Sequence, residues 1–381
     1  MAGALSVAAI GSFLASLLIV LTQGWHGKHS LDKDIAGIQK FHKTPVPRIG
    51  GIAILVGILI ACILGSMNDV QAVQIGNDSF FKLLLAVMPA FAAGLLEDLT
   101  KKVSVKARLL ATFASALLAC WLLGAILPRL DMWGIDTLLH VSPLAAIAVT
   151  AFAVAGVANS INIIDGFNGV AGSAVVIMLA GLGFLAWKAD DAFVLSLALV
   201  GIGASLGFLL VNYPTGRIFM GDGGAYLLGF WLAEVAVLLV TRNPQINTWQ
   251  VLAICGYPVI EVIYSIYRRK LIRRISPGAP DRLHLHTLIY RRVVCQVLPR
   301  DSSRPWIRNA AVACMIASWI SNLTLLAVVF GTTVAGATAV MVGHCVFYVA
   351  IYARLVRGHW HPNPVVALGL LRARPVMREL P

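Results

Sequence analysis

The chain has 381 residues, of which 59% are hydrophobic and 12% are charged, and its mean hydropathy is +0.84. Soluble domains carry about 25% charged residues, and disordered chains are also rich in charge, so this composition excludes both classes. The net charge of +13 requires no nucleic-acid partner, because the cytoplasmic loops of membrane proteins accumulate Lys and Arg. The composition therefore predicts an integral membrane protein that binds no nucleic acid.

Eleven apolar runs approach the roughly 20 residues that a helix needs to cross a bilayer. In chain order they lie at about 3–22, 50–67, 80–96, 107–127, 143–159, 170–187, 192–211, 224–241, 249–267, 309–330 and 334–353. The sequence therefore predicts an all-α protein with eleven transmembrane helices. One catalytic domain would cover 1–353, and a poorly ordered cytoplasmic tail would follow at 354–381.

Positive charge is segregated between alternate loops of this arrangement. Of the 30 basic residues, 26 fall on one side, in loops 23–49, 97–108, 160–169, 212–223 and 268–308 and in the tail after 353. Because positively charged loops remain in the cytoplasm, the N-terminus is predicted to be periplasmic and the C-terminus cytoplasmic. The cluster that opens loop 268–308, Arg268 to Arg274, is interpreted mainly as an anchor at the anionic leaflet.

Acidic residues lie at the predicted inner ends of several helices. Glu97 and Asp98 are adjacent, Asp165 follows the fifth run, and Asp222 precedes the eighth in Phe-Met-Gly-Asp-Gly-Gly. An unpaired carboxylate where hydrocarbon meets water is costly and is commonly functional. Oxygen ligands of this kind suit Mg²⁺ beside a phosphate, so a metal–phosphate site is the hypothesis. The alternative is that each carboxylate caps a helix, which is most plausible for Asp222 before Gly-Gly.

Amide, basic and imidazole groups on the same predicted side have two interpretations each. Asn159 and Asn162 lie three residues apart before Asp165, where they either bond to a neighbouring helix or face a site. The string Lys43-Thr-Pro-Val-Pro-Arg48-Ile-Gly-Gly is either a stiff entry loop or a phosphate-binding loop. The string Pro-Asp-Arg282-Leu-His284-Leu-His286 is either a solvated loop or part of a polyphosphate clamp.

Taken together, these motifs resemble the polyprenyl-phosphate N-acetylhexosamine-1-phosphate transferase superfamily, glycosyltransferase family 4, over about residues 40 to 290. The strings that carry the resemblance are Lys-Thr-Pro…Gly-Gly, an acidic pair, Asn-x-x-Asn-x-x-Asp-Gly, Phe-Met-Gly-Asp-Gly and Pro-Asp-Arg-x-His-x-His. They occur in the family's order, each on a predicted inner loop, and their joint occurrence by chance is remote.

The resemblance implies a multi-pass enzyme of the bacterial inner membrane. It would transfer N-acetylhexosamine 1-phosphate from a UDP-sugar to undecaprenyl phosphate, releasing UMP and initiating an O-antigen or similar glycan. Mg²⁺ is implied as cofactor, with Mn²⁺ as a substitute, and a homodimer is compatible with it. By carry-over, Asp98, Glu97 and Asp165 are catalytic, and Asp222 and Asp98 hold the metal. The implied substrate-binding residues are Lys43, Thr44, Arg48, Asn159, Asn162, Asn212, Arg282, His284 and His286.

Three positions depart from the family pattern. Glu97 replaces the usual first Asp, Asn168 stands where some relatives carry Asp, and Thr287 stands where many carry a further His. The Pro-Asp-Arg string resembles O-antigen-initiating enzymes more than the peptidoglycan translocase. The choice between direct displacement and a covalent aspartyl intermediate stays open, as does the identity of the sugar.

A polytopic transporter is the alternative function. Glu234 and Glu261 lie inside the eighth and ninth apolar runs, and carboxylates within membrane helices commonly mark ion paths. Transfer of label from a UDP-sugar to a lipid would favour the enzyme, whereas uptake without lipid labelling would favour the transporter.

Overall fold

The computed structural model of the protein describes residues 2–32, 45–67, 77–276, 281–299, 301, 303–304 and 306–358. Its elements in chain order are α1 (Ala2–Leu21), α2 (Gln23–Ser30), β1 (Leu31–Asp32), β2 (Val46–Pro47), α3 (Gly50–Met67), α4 (Asn77–Thr100), α5 (Val105–Leu123), α6 (Ile135–Val141), α7 (Pro143–Ile164), α8 (Val170–Lys188), α9 (Ala192–Asn212), α10 (Gly221–Arg242), α11 (Thr248–Ile254), α12 (Gly256–Tyr267), a π-helical turn (Arg268–Ile272), α13 (Leu285–Ile289), a second π-helical turn (Tyr290–Val294), α14 (Cys295–Val297), α15 (Ile307–Phe330) and α16 (Val334–Val356). Strands β1 and β2 form one short antiparallel pair.

The prediction of an all-α integral membrane protein is confirmed. Within the described ranges, nine helices are long and apolar enough to cross a membrane, or ten if one bent pair counts as a single span. Ten of the eleven predicted runs each coincide with one helix, and the run 249–267 coincides with the bent pair; the apolar segment Gly50–Leu64 of α3 is shorter than the roughly 20 residues of a full span. The count of eleven spans and the orientation therefore stay predictions, and most of the predicted tail, 359–381, lies outside the described residues.

The predicted continuous helix at 249–267 is interrupted in the structure. Helix α11 ends at Ile254, and the helical segment that begins at Gly256 leaves it at 79°. Pro258 explains the break, because proline has no N–H to donate to the Ile254 carbonyl and its ring clashes with that group. The break matters for the site, since it redirects α12 toward the predicted inner end of the bundle.

Helix α10 is the centre of the bundle. Its most apolar stretch is 94% buried, whereas that of α16 is 22% buried and faces outward. Glycines allow close approach on three sides of α10: Gly51 of α3 touches the Gly224 backbone, Gly94 of α4 touches the Gly223 nitrogen, and Gly229 touches Ala158 of α7. Without a hydrophobic drive between helices in lipid, such close packing of small residues stabilises membrane bundles.

The predicted inner loops meet at one end of this bundle. Residues from loops 23–49, 97–108, 160–169, 212–223 and 268–308 all border a single cavity there. At the opposite end, Asp191 accepts hydrogen bonds from Arg242 and Asn243, and Arg129 donates to the carbonyls of Pro244 and Ile246. Charge is thus sorted between the two ends as the loop analysis predicts.

We expect Gly51→Ala to destabilise the bundle, because the added Cβ would overlap the backbone of Gly224. The cost should be about 1–3 kcal/mol, the usual range for overpacking. The matched control is Gly156→Ala, since a Cβ at Gly156 meets no atom within 4 Å. Thermal unfolding of both variants in detergent measures the difference, and equal midpoints would contradict the packing described for α3 and α10.

Candidate active site

The loop before α3 and the loop before α10 are joined by main-chain hydrogen bonds. Phe219 N–H donates to the Pro47 carbonyl at 2.8 Å, and the Gly50 and Gly51 N–H groups donate to the carbonyls of Phe219 and Met220 at 2.9 and 3.0 Å. Residues 47–51 and the Phe-Met-Gly-Asp string, far apart in sequence, are therefore joined side by side at the site.

Asp98 caps the start of α10 from the neighbouring helix α4. Its Oδ1 accepts the N–H of Asp222 and its Oδ2 accepts the N–H of Gly223, each at 2.9 Å. The first N–H groups of a helix have no partner within it, and a carboxylate there also interacts favourably with the helix dipole. The capping alternative that the sequence raised for Asp222 therefore describes Asp98.

Two arginines flank Asp222. Arg48 Nη2 lies 2.6 Å from Asp222 Oδ1, and Arg48 Nε lies 3.1 Å from Asp98 Oδ1. Arg108, from the first turn of α5, contacts Asp222 Oδ2. Arg48 thus links the carboxylates of α4 and α10, and the two guanidinium groups offset negative charge that would otherwise repel.

These groups border a cavity of about 520 Å³ at the predicted inner end of the bundle. Eight of the predicted site residues line it: Arg48, Asn159, Asn162, Asp165, Asn212, Asp222, His284 and His286. Four carboxylates and three guanidinium groups of the described residues contribute to the wall, namely Asp32, Asp165, Asp222 and Asp281 with Arg48, Arg108 and Arg269. The mixed charges suit a ligand that carries phosphate groups and that could bring a cation with it.

Asp165 lies at the turn between α7 and α8, which the Asp-Gly and Asn-Gly pairs predict. Helix α7 ends at Ile164, and Gly169 adopts a positive φ of 84° before α8 begins. Burial raises the pKa of Asp165 to about 7, and the nearby charge of Arg48 opposes that rise only in part. Asn159, Asn162 and Asp165 all face the cavity, as expected for residues three apart on one helix.

Asn212 ties two loops of the site together. Its Oδ1 accepts the N–H of Gly169 at 2.8 Å, and its Nδ2 donates to the Ile218 carbonyl at 2.7 Å. Both polar ends of the amide are thus engaged by the main chain, although the residue also borders the cavity. This geometry makes Asn212 a support for the loop before Asp222.

His284 and His286 stack on each other beside the cavity. Their ring centroids lie 5.4 Å apart with an interplanar angle of 11°. Burial, followed by the charge of His284, lowers the pKa of His286 to about 4, so its ring is neutral at pH 7. A side chain at Gly166 would collide with His286 Nε2 at 2.7 Å, which explains the glycine after Asp165.

The basic cluster at the start of loop 268–308 does not act wholly as a surface anchor. Arg268 and Arg269 are 5% and 6% exposed, Arg268 contacts Asp281, and Arg269 lines the cavity. The π-helical turn that contains both residues changes their direction relative to a regular helix, and such turns are frequent at functional sites. The anchor interpretation is therefore wrong for these two residues.

Three predicted residues do not border the cavity. Glu97 accepts the N–H of Val103 at 2.8 Å and turns toward the loop after α4. Asp98 lies behind the start of α10, and Arg282 is exposed outside the cavity wall. Lys43 and Thr44 lie outside the described residues.

Sequence analysis did not single out several residues that the fold brings to the site. Arg108 was counted only as one of four basic residues in loop 97–108. Tyr226 lies four residues after Asp222 on the same face of α10, and that spacing was the available signal. In the string Pro-Asp-Arg, the structure brings Asp281 rather than Arg282 into the wall.

The donor set can be compared with what Mg²⁺ requires. Among the described residues, no three His, Cys, Asp or Glu side chains come together as a metal site. Mg²⁺ commonly takes only one or two protein carboxylates and completes its shell with water and substrate phosphates. Asp222 fits this mode because it lines the cavity, whereas both oxygens of Asp98 already accept main-chain N–H groups.

Comparison with known proteins points to the same family. The sequence model of glycosyl transferase family 4 matches residues 80–240. The chain is 27% identical over 252 residues to a probable undecaprenyl-phosphate N-acetylglucosaminyl 1-phosphate transferase of Bacillus subtilis, covering 65% of this chain and 66% of that protein. The chain is thus similar to glycosyl transferase family 4 over this region, and the named relative supports the predicted superfamily.

Two further relatives of this chain are named for different substrates. An undecaprenyl-phosphate alpha-N-acetylglucosaminyl 1-phosphate transferase of Thermotoga maritima is 26% identical over 288 residues, covering 75% of this chain and 80% of that protein. A phospho-N-acetylmuramoyl-pentapeptide-transferase of Synechococcus is 32% identical over 244 residues, covering 60% and 65%. Both branches match, so the predicted preference for the O-antigen-initiating branch stays a prediction.

By its similarity to these transferases the chain is an enzyme, a glycosyl-1-phosphate transferase by class, in a multi-pass membrane fold. Glu234 and Glu261, the two carboxylates that suggested a transporter, are surrounded by protein rather than exposed to the cavity. Glu261 accepts hydrogen bonds from three groups, and Glu234 is buried in α10 away from the cavity. The family model ends at residue 240, so it covers the Asp98–Asp222 part of the site but not the histidines.

We expect Asp98→Asn to lower stability by about 1–3 kcal/mol, because an amide would turn an N–H₂ group toward Arg48 or a main-chain donor of α10. The matched control is Asp78→Asn, since Asp78 lies on the same helix but is exposed and, in the described part of the chain, pairs with Lys82 alone. Thermal unfolding in detergent compares the two variants. An unchanged midpoint for Asp98→Asn would contradict its role as the cap of α10.

The pKa of Asp281 predicts that part of the protein's stability is lost in acid. Burial by itself would raise its pKa, but the hydrogen bond and charge of Arg268, together with His284 and the Leu283 N–H, lower it to about 2. Because this value lies below the unfolded value of about 3.9, the stabilisation is complete above about pH 5 and is lost as pH falls toward 2.

Asp281→Asn should therefore be less stable than wild type at pH 7 by about 2 kcal/mol. The difference between the two proteins should shrink as the pH falls from 5 to 2. Unfolding midpoints measured across this range provide the check, and a difference independent of pH would show that the carboxylate charge is not involved.

Proposed function

We propose that this enzyme transfers an N-acetylhexosamine 1-phosphate from a UDP-sugar to undecaprenyl phosphate and releases UMP. The observation that carries the proposal is the cavity in which Arg48 and Arg108 flank Asp222 at the end of a membrane bundle. The Bacillus and Thermotoga relatives are named as undecaprenyl-phosphate N-acetylglucosaminyl 1-phosphate transferases, which supports the same reaction here.

The position of the cavity suits the two substrates. A polyprenyl phosphate keeps its chain in the bilayer and its phosphate at the surface, while a nucleotide sugar approaches from water. The cavity lies at the end of the helices and is bordered by both loop and helix residues, which suits a site where a membrane lipid and a water-soluble nucleotide meet. We propose that this end faces the cytoplasm of a bacterium, at its inner membrane, because 26 of the 30 basic residues lie on this side.

The proposed reaction is an in-line displacement at phosphorus. An oxygen of the lipid phosphate bonds to the sugar-linked phosphorus, the bond to the bridging diphosphate oxygen breaks, and UMP leaves with that electron pair. A phosphate monoester has a second pKa near 6, so the lipid phosphate needs no strong base at pH 7. Arg48 and Arg108 would bind the diphosphate, because guanidinium groups pair with phosphate oxygens as they do with carboxylates.

This geometry disfavours Asp98 as a base or as a covalent nucleophile. Its two oxygens accept main-chain N–H groups, Oδ1 also contacts Arg48, and the residue does not border the cavity. We propose instead that Asp98 orients Asp222, while Asp165, Asn159 and Asn162 contact the substrate from α7. Asp165 borders the cavity, so it stays a candidate nucleophile for a covalent route.

Mg²⁺ is proposed as the cofactor, with Asp222 as its protein ligand. When bound there, the ion would offset the negative charge that develops on the diphosphate oxygens. Asp222 would then share Arg48 and Arg108 with the phosphates, since these three side chains line the same part of the cavity. Addition of Mg²⁺ should raise the unfolding midpoint only when a UDP-sugar is present, which is a readout independent of turnover.

The function is tested by offering a panel of UDP-sugars and undecaprenyl phosphate to the purified protein. We expect radiolabel to enter a butanol-soluble lipid, one UMP to be released per transfer, and chelation of divalent cations to stop both. Asp222→Asn should lower kcat at least about 100-fold with the protein still folded. The exposed variant Asp78→Asn is the control.

Two results would overturn the proposal. One is uptake of the nucleotide sugar into vesicles with no lipid labelled, which would favour the transporter. The other is full turnover by Asp222→Asn, which would remove that carboxylate from the site. The preferred sugar of the panel then decides whether an O-antigen or another lipid-linked glycan is initiated.

A further inference from the structure

Glu261 of α12 is buried beside the histidines and receives three hydrogen bonds. His284 Nδ1 lies 2.9 Å from its Oε1, and the Tyr348 hydroxyl donates to its Oε2 at 2.8 Å. The main-chain N–H of Leu285 lies 3.2 and 3.3 Å from the two oxygens. Glu261 is 1% exposed and does not border the cavity, so its contacts are entirely with the protein.

These contacts determine which ring nitrogen of His284 carries a proton. The Leu285 N–H can only donate, and the Tyr348 hydroxyl donates toward the same carboxylate, so Glu261 is the acceptor in each contact. His284 Nδ1 must then carry the hydrogen that it shares with Glu261. A carboxylate at one imidazole nitrogen fixes both the tautomer and the plane of the ring.

The other ring nitrogen of His284, Nε2, is available to a ligand in the site. His284 Nε2 lies 3.7 Å from Asp281 Oδ2, which is beyond hydrogen-bond distance. Asp281 is itself engaged by Ser265, by Arg268 and by the Leu283 N–H. Nδ1 faces Glu261 of α12, which does not border the cavity. Nε2 lies on the side of Asp281, and both His284 and Asp281 border the cavity, so Nε2 is the nitrogen on the cavity side.

We propose that Glu261 is a positioning residue that holds His284 with its Nε2 toward a phosphate of the nucleotide sugar, a role that rests on the proposed function. Tyr348 extends this arrangement to α16. The last described helix, far outside the 80–240 family match, would thus support the site through one hydroxyl.

A second buried glutamate provides the matched comparison. Glu234 of α10 is 0% exposed, and neither of its oxygens has a hydrogen-bond partner among the described residues. It does not border the cavity. Glu→Gln therefore makes the same chemical change at two similarly buried positions. Of the two glutamates, Glu261 alone has a hydrogen bond to a residue that borders the cavity among the described residues.

The kinetic test uses Glu261→Gln, Tyr348→Phe and the control Glu234→Gln, each checked for unfolding midpoint. We expect Glu261→Gln to raise the KM for the UDP-sugar about tenfold or more, the scale of effect seen when a group that orients a histidine is removed. Tyr348→Phe should raise it less, and Glu234→Gln should leave it unchanged. A merely structural role would lower kcat through the active fraction and leave KM as in wild type.

A spectroscopic test separates this proposal from the proposed function. In protein labelled with ¹⁵N-histidine, the His284 signals are assigned by their loss in His284→Gln. Wild type should show a protonated Nδ1 that Glu261→Gln alters and Glu234→Gln does not. Unaltered signals, or an altered signal with an unchanged KM, would overturn the positioning role. If wild type transfers no sugar 1-phosphate, the proposed function fails, and the NMR comparison still decides the Glu261–His284 pairing.

Discussion

The carboxylate of Asp98 is the interaction on which the site depends. It accepts the first free N–H groups of α10 and contacts Arg48, so it joins α4, α10 and the loop before α3 at one point. A carboxylate at this depth in a membrane protein is costly unless its charge is met. Here a helix terminus and a guanidinium group meet it together, and the result directs Asp222 into the cavity. The glycines at 51, 94 and 223 permit the close backbone contact that this joint requires.

The charges around the cavity form carboxylate–guanidinium pairs in which a substrate phosphate could replace the carboxylate. Asp222 lies between two arginines, and Asp281 contacts Arg268. Replacing a whole buried ion pair by apolar groups often costs little stability, although removing one partner is destabilising, so the presence of these pairs points to function rather than to folding alone. Phosphate oxygens match the guanidinium geometry as well as carboxylates do, and a divalent cation can neutralise carboxylates that lose an arginine partner.

The second half of the site is built by the chain after residue 240. The break at Pro258 redirects α12, the π-helical turn rotates Arg268 and Arg269 inward, and Glu261 and Tyr348 hold His284. These features have no simple periodicity in the sequence. The family model covers the carboxylate side of the cavity, and the imidazole side is built by packing among α12, α13 and α16.

The sequence by itself determined the membrane class, the positions of the helices and the residue types that gather at one end of the bundle. Length of an apolar run and segregation of charge can be counted along a chain, because the bilayer imposes them on each segment separately. Only the tertiary structure decided that Asp98 caps a helix, that Arg108 and Asp281 face the cavity, and that Glu261 holds a histidine. Those outcomes depend on the direction of each side chain once distant helices have packed, and spacing within one segment does not specify that direction.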